Sequence, residues 1–324
     1  AGFKETGKEG AEVEKQLVEK IKEYGMRCVG PNCLGVVNTH PDVRMDGCFA
    51  ESLPERGNIG FVSQSGALGG GILNILKDLN LGFAQFISIG NQADVNAETA
   101  LEYWENDEDV KQILLYMESI QDPANFRKLA TRITKKKPIL ALKSGRSAAG
   151  ASAASSHTGS LAGADKAAAA LLHQSGIIRE FSLKNLFATA KVFSTCPIPK
   201  GDRVAIITNS GGPGIMATDA VCEYGMQMAK LTDATKDKLR SFLPSAASVK
   251  NPVDMIASAP IEHYKQTLET VIADENVDMI ITIYLPFLGL KDIDVAKALM
   301  EIKAEHPEKP VSYTHLTLPT ILLV

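Results

Sequence analysis

One pattern occurs twice in this chain and restricts its fold more than any other feature. RGNIGFVSQSGALG begins at Arg56 and KGDRVAIITNSGGPG at Lys200. Each puts a continuous apolar strand ahead of a tight Ser-Gly turn and a helix start. A strand apolar along its whole length is covered on both faces, which in α/β proteins means a parallel sheet between helices.

The segments that follow keep alternating in the same way. Strands are expected over Asn58 to Val62, Phe83 to Ile89, Gln112 to Met117, Pro138 to Leu142 and, briefly, at Ile177 and Ile178. The helices between them run from the SQSG turn through Leu79, over Ala97 to Trp104, from Asp122-Pro123 onward, over Ala164 to His173 and over Leu183 to Phe193. Asp122 is an N-cap and Pro123 an N1 proline, followed by Phe126, Leu129, Ala130 and Ile133 at i, i+3, i+4 and i+7. After a linker at Pro197 to Lys200, the second unit predicts strands at Val204 to Thr208, Met226 to Leu231 and Met279 to Tyr284. Its helices are expected over Ile215 to Tyr224, Asp233 to Phe242, His263 to Ala273 and Asp292 to His306, with NPVDM at 251–255 as a loop.

The two ends read differently. Val13, Leu17, Val18, Ile21 and Tyr24 space a helix that Gly25 stops, and Met26 to Val29 predicts a strand running into GPNCLG. One helix and one strand cannot bury both faces of a layered domain. Residues 1–49 are therefore expected to be the end of an α/β domain whose front is missing. At the other end Lys309-Pro310-Val311 starts a strand, but SYTHLTLPTILLV changes character abruptly and is read as foreign or misjoined sequence. The expected organisation is 1–49, a first full unit at 50–197, a second at 198–311, and an anomalous tail at 312–324.

Composition removes several function classes. A net charge of -4 with no long basic run excludes a nucleic-acid binder, and no apolar run approaches the ~20 residues of a membrane span. The five cysteines are odd in number and lack CxxC spacing, so neither a disulfide framework nor a metal site is expected, and a cytoplasmic protein is.

The chemistry concentrates in turns and one loop. A strand, a tight Gly/Ser turn and a helix N-terminus make an anion site, because free N–H groups and the dipole end face the ligand. SQSG and NSGGPG are each weak signals for this, since a plain βα turn looks the same; together they flank KSGRSAAGASAASSHTGSLAG at 143–163. That stretch is almost all Gly, Ala and Ser, the composition of a flexible loop or of an ordinary linker, and carries one imidazole, His157. A near-neutral histidine can accept a phosphoryl group on a ring nitrogen, provided its other nitrogen is held. Glu118, in YMES directly after an apolar strand, is the candidate for that role, where a surface carboxylate is the plainer reading. Ser65 and Ser210 lack the G-x-S-x-G surroundings of a serine nucleophile.

SSHTGSLAG, with SQSGALG, SIGNQADVN at 88–96, GPNCLG and TNSGGPG, resembles the NDP-forming acyl-CoA synthetases, and more closely the α part of the ADP-forming acetate–CoA ligases, relatives of succinyl-CoA synthetase. The resemblance runs from residue 1 to about 311. It implies tandem flavodoxin-like, succinyl-CoA synthetase-like units preceded by the end of a Rossmann-like CoA-binding domain. It also implies a relay: acyl-CoA, phosphate and ADP interconvert with carboxylic acid, CoA and ATP through an acyl phosphate and a phosphohistidine. By this resemblance His157 carries the phosphoryl group and Glu118 supports it. Ser63, Gln64, Ser65 and Gly66, with Asn209, Ser210, Gly211 and Gly212, bind phosphate, while Pro31, Asn32 and Cys33 edge the CoA and acyl site. Nucleotide and Mg2+ fall to a partner ATP-grasp β subunit or fused domain, so a hetero-oligomer is implied and this chain alone is incomplete. Alternatives are a non-catalytic acyl-CoA-sensing module of a protein acetyltransferase and a succinyl-CoA synthetase α-like subunit. An intact SSHTGSLAG favours the enzyme over the sensor, and the second unit stands against the α-like subunit.

Overall fold

The computed structural model describes residues 2–147, 149–150, 165–286 and 291–315. The chain divides into two compact units at Ser194/Thr195, just ahead of the prolines expected to form the linker.

The first unit is built on a seven-stranded sheet among the described residues. Its strands are β1 (Gly35–Asn38), β2 (Met45–Cys48), β3 (Arg56–Ser63), β4 (Phe83–Ser88), β5 (Gln112–Met117), β6 (Ile139–Lys143) and β7 (Ile178–Glu180). The sheet runs β2-β1-β4-β3-β5-β6-β7. From β4 to β7 all neighbours are parallel, so the five later strands have the flavodoxin order 2-1-3-4-5. Strand periodicity sorts their side chains into two cores. Ile113, Leu115 and Met117 of β5 face α3 (Ala97–Trp104) and α4 (Pro123–Ile133), packing with Trp104, Phe126 and Ile133. Leu114 points the other way, into a core with Phe61, Phe83 and Phe86, covered by α2 (Gly66–Leu79) and, beyond α5 (Asp165–Gln174), by α6 (Leu183–Thr195). Asp122 caps α4 as its sequence predicts, accepting from the Asn125 N–H at 3.0 Å.

Part of residues 1–49, expected as the end of a preceding α/β domain, extends this sheet. β1 and β2 form an antiparallel hairpin, and β1 pairs antiparallel with β4, Val37 opposite Phe86. Val37 is thereby buried among Phe86, Ile72 and Leu73. The expected strand at Met26 to Val29 reduces to one parallel bridge between Val29 and Val95. Ahead of it, α1 (Lys8–Glu23) places Glu14 against the 88–96 turn, where its carboxylate accepts from Asn91 Nδ2 at 2.8 Å.

The second unit repeats the pattern. Strands β8 (Arg203–Thr208), β9 (Gln227–Met228), β10 (Val253–Asp254), β11 (Met279–Tyr284) and β12 (Val311–His315) form a parallel five-stranded sheet. Both β9 and β10 pair with β8, one at its start and one at its end, and β11 and β12 follow; with the two short pieces counted as one strand, the order is again 2-1-3-4. The helices are α7 (Gly211–Glu223), α8 (Asp233–Phe242), α9 (Ile261–Ile272) and α10 (Asp292–Glu305).

Four expectations shift here. The strand expected over Met226 to Leu231 shrinks to two residues, and NPVDM, expected as a loop, supplies the other edge piece. Between them the Asn251 side chain completes the ladder: it accepts from the Ile206 N–H at 2.9 Å and donates to Val204 O at 2.7 Å and Ala229 O at 3.0 Å. Helix α7 begins at Gly211 rather than Ile215, because first-turn residues donate no intrahelical bond and tolerate Gly-Gly-Pro. Residues 312–315, expected in the odd tail, continue β12 beside β11, and Tyr313 Oη donates to Asp292 O at 3.1 Å. Residues 316–324 lie outside the described residues.

Candidate functional site

In a 2-1-3-4-5 sheet the connections from the first and third strands leave toward opposite faces, which opens a crevice beyond their carboxyl ends. Here those strands are β3 and β5. Ser63 to Gly66 leave β3 and enter α2, and Met117 to Ser119 leave β5. Ser63 and Gln64 are buried, and the Ser63 hydroxyl donates to Ser65 O at 2.7 Å, which tightens the turn. Ser65 caps α2, its Oγ accepting from the Leu68 N–H at 3.3 Å. Gly66 passes so close to the preceding loop that a Cβ there would stand 3.2 Å from Leu34 N.

The Gln64 side chain spans the mouth of the crevice. Its Oε1 accepts from the Glu118 N–H at 2.8 Å and the Ser119 N–H at 3.1 Å, and its Nε2 donates to Ser119 Oγ at 3.1 Å. These bonds extend the β3–β5 ladder past its last backbone rung, where Gln64 N donates to Tyr116 O at 3.0 Å.

The crevice is a cavity of about 390 Å³ lined by Asn32, Cys33, Leu34, Phe49, Gln64, Ser65, Gly66, Ala67, Gly70 and Glu118. Its far wall is the GPNCLG loop, held by the SIGNQADVN turn. Asn91 N donates to Pro31 O, Ala93 N to Gly30 O and Val95 N to Cys28 O, at 2.9 to 3.0 Å. The Ser88 hydroxyl accepts from the Leu34 N–H at 2.9 Å, and Asn32 Nδ2 donates to Asn91 Oδ1 at 3.3 Å. Pro31 follows a cis peptide bond and contributes its carbonyl to this clamp rather than to the cavity wall. Burial pushes the Cys33 thiol above its ordinary pKa, so it enters the site neutral, donating to Val29 O at 3.5 Å.

Beside the crevice, β6 ends on Lys143, which is buried and donates to Ser144 O at 2.6 Å. Burial lowers its pKa, against the opposing pull of Asp165 and Glu118. Among the described residues no cluster of three His, Cys, Asp or Glu side chains could hold a metal ion, and no helix is long and apolar enough to cross a membrane.

The second unit builds its own switch-point turn between β8 and β11. The Thr208 hydroxyl donates to Ser210 O and accepts from the Ser210 N–H, both at 3.1 Å, as Ser63 serves Ser65. The buried Asn209 amide pairs both ways with one residue beyond β11: Oδ1 accepts from the Leu285 N–H and Nδ2 donates to Leu285 O, each at 2.8 Å. Ser210 stands at the N-cap of α7 without a side-chain cap bond, and Gly211 and Gly212 form its first turn.

Within the first unit, then, Asn32, Cys33, Gln64, Ser65, Gly66 and Glu118 line one cavity, and Ser63 is buried at the start of the same turn. Asn209, Ser210, Gly211 and Gly212 share the turn after β8. His157 lies outside the described residues. Leu34, Phe49 and Ser119 went unnoticed in the sequence. Ser119 follows Glu118 directly in YMES, and the second bond of the Gln64 amide makes it part of the strand end.

Both units match known families over most of their length: residues 56–193 match the succinyl-CoA ligase-like flavodoxin domain and residues 204–315 the ligase-CoA domain. The acetate–CoA ligase (ADP-forming) II subunit alpha of Pyrococcus furiosus is 45% identical over 96% of this chain and 68% of its own. Acetate–CoA ligase (ADP-forming) I of Archaeoglobus fulgidus is 41% identical over 93% of this chain and 43% of its own. The solved structure of acetyl-coenzyme A synthetase 1 from Candidatus Korarchaeum cryptofilum, in complex with phosphate and ADP, superposes with a TM-score of 0.93. It is 33% identical and covers 99% of this chain and 69% of that one. The chain thus spans 68% of the Pyrococcus subunit and 43% of the Archaeoglobus protein. With likeness of this extent across both units, the chain belongs to the ADP-forming acetate–CoA ligase family.

Proposed function

We propose that this chain is the α part of an ADP-forming acyl-CoA synthetase, interconverting acyl-CoA, phosphate and ADP with a carboxylic acid, CoA and ATP. A phosphate oxygen attacks the thioester carbonyl and expels the CoA thiolate, leaving an acyl phosphate. A ring nitrogen of His157 then attacks phosphorus and releases the carboxylate. The phosphoryl group finally moves to a terminal oxygen of ADP, forming ATP and freeing the imidazole. Glu118 holds the second ring nitrogen, keeping the attacking one unprotonated and stabilising the charge that develops.

The observation that carries this reading is the crevice itself. One carboxylate, one helix N-terminus and the Asn32–Cys33 wall converge on about 390 Å³ at the switch point. The Ser65–Gly66 turn and the Ser210–Gly211–Gly212 turn suit anions through backbone N–H groups and the helix dipole. Asn32 and Cys33, with Pro31 behind them, suit the edge of the CoA and acyl site. The nucleotide and its Mg2+ are assigned to a partner ATP-grasp subunit or domain, and no step is routed through the ion. A hetero-oligomer in the cytoplasm, acting on a small carboxylic acid and its thioester, completes the proposal.

The test is phosphohistidine formation. Incubated with acetyl-CoA, radiolabelled phosphate and an ATP-grasp partner, the chain is expected to acquire acid-labile, base-stable label. His157→Ala should abolish it, and Glu118→Gln should slow it by about 10²-fold or more. Label persisting in His157→Ala would move the nucleophile elsewhere. No label in the parent with a competent partner would favour an acyl-CoA sensor. With the partner omitted, ATP formation should stop.

A further inference from the structure

Gln64 and Asn209 both belong to turns that suit an anion, yet each amide bonds to the end of a neighbouring strand. We propose that Gln64 is a positioning residue: it acts on the phosphoryl relay by fixing the backbone at Glu118, and not as a phosphate ligand. The proposal rests on the reading that Glu118 supports His157.

Gln64 is 6% exposed, and its oxygen spends both lone-pair directions on two consecutive N–H groups, Glu118 and Ser119. Its nitrogen holds the Ser119 hydroxyl. At a switch point the chain leaving β3 and the chain leaving β5 diverge, so β5 has no further backbone partner on that side. The amide side chain supplies the missing rung and sets where the Glu118 carboxylate points.

The second unit reaches the same result independently. Asn209, 2% exposed, holds Leu285 by two bonds in the corresponding place, beside a Thr208 that serves its turn as Ser63 does. The two amides differ by a methylene and the two backbones differ in sequence. What recurs is the clamp from the turn onto the end of the third strand. That recurrence separates a shared geometric duty from an incidental bond.

Gln64→Met keeps length and volume and removes all three bonds. With acetyl-CoA, the ATP-grasp partner and varied radiolabelled inorganic phosphate, its labelling rate at saturating phosphate should fall by about tenfold or more, since a displacement near 1 Å at a reacting group costs up to about 10²-fold. The half-saturating phosphate concentration should stay within about twofold, the signature of a lost rate rather than lost binding. A raised half-saturation with the saturating rate kept would make Gln64 a ligand and overturn the proposal, as would parental kinetics. Should Gln64→Met melt before assay, amide exchange in the parent decides. Glu118 and Ser119 N–H groups protected like Met117 support the clamp, and fast exchange at both refutes it. Glu118→Gln separates the two levels. If it labels like the parent, the reading of Glu118 has failed; if it is impaired while Gln64→Met is not, only this proposal has.

Discussion

Gly90 shows how tightly single atoms are set around the crevice. Its φ is +49°, and a Cβ there would stand 2.3 Å from Pro31 O and 2.4 Å from Asn32 O. Gly90→Ala therefore meets both backbone strain and a hard overlap, and is expected to cost about 2–4 kcal/mol. Urea unfolding should show this as a lower midpoint with an unchanged slope. At this scale the sequence was partly readable. Glu118 could be placed because a carboxylate directly after a buried strand must sit at its carboxyl end. Ser65 and Gly66 followed from the strand–turn–helix order. The duty of the Gln64 and Asn209 amides was not readable, because an amide bonds a ligand or a backbone according to which strand lies beside it, and strand order is not written locally. Gly90 itself stood inside SIGNQADVN, but its partner loop lies about sixty residues earlier.

Among elements, Asn251 does the work of a strand segment, satisfying one N–H and two carbonyls along β8 and after β9. Asn251→Ala takes this partner from the Ile206 N–H and from Ala229 O, while Val204 O keeps the Ala229 N–H at 2.8 Å, and should destabilise the second unit by about 2–4 kcal/mol. Faster amide exchange at Ile206 would be the local sign. Elements with strong periodicity were legible to the residue: Ala97–Trp104, Gln112–Met117, Asp233–Phe242 and Met279–Tyr284. The β1–β2 hairpin was not, since four-residue strands with one buried position between them carry almost no pattern. The start of α7 was misplaced because Gly-Gly-Pro has low interior propensity, a penalty that does not apply in the first turn.

For the whole molecule, each unit contains a carboxyl held near pKa 2. Burial works against ionisation of Glu5, but hydrogen bonds from Asn91 and the Phe3 and Gly2 N–H groups outweigh it and bring it to about 2. Asp278 is held at about 2 chiefly by the Arg203 side chain, bound at 2.8 and 2.9 Å, with help from the Arg203 N–H. Unfolded, both would protonate near pH 4, so the unfolded chain takes up protons first as pH falls. Their contribution to stability is complete above about pH 5 and disappears as pH approaches 2. Urea midpoints should decline through that window, and Asp278→Asn should flatten the decline for the second unit. Fold class and the twofold repeat were legible from the two matching openings alone. The two compact units divide at Ser194/Thr195, shortly before Pro197 and Pro199. The broken border of β8 has a last consequence. A long outer strand offers a row of N–H and C=O groups on which a foreign chain can add itself. Here that row is filled by two dipeptide strands and one side-chain amide, leaving no continuous template. The second unit is thereby guarded along β8 against edge-to-edge aggregation, and Asn251→Ala should raise its tendency to form fibrillar assemblies.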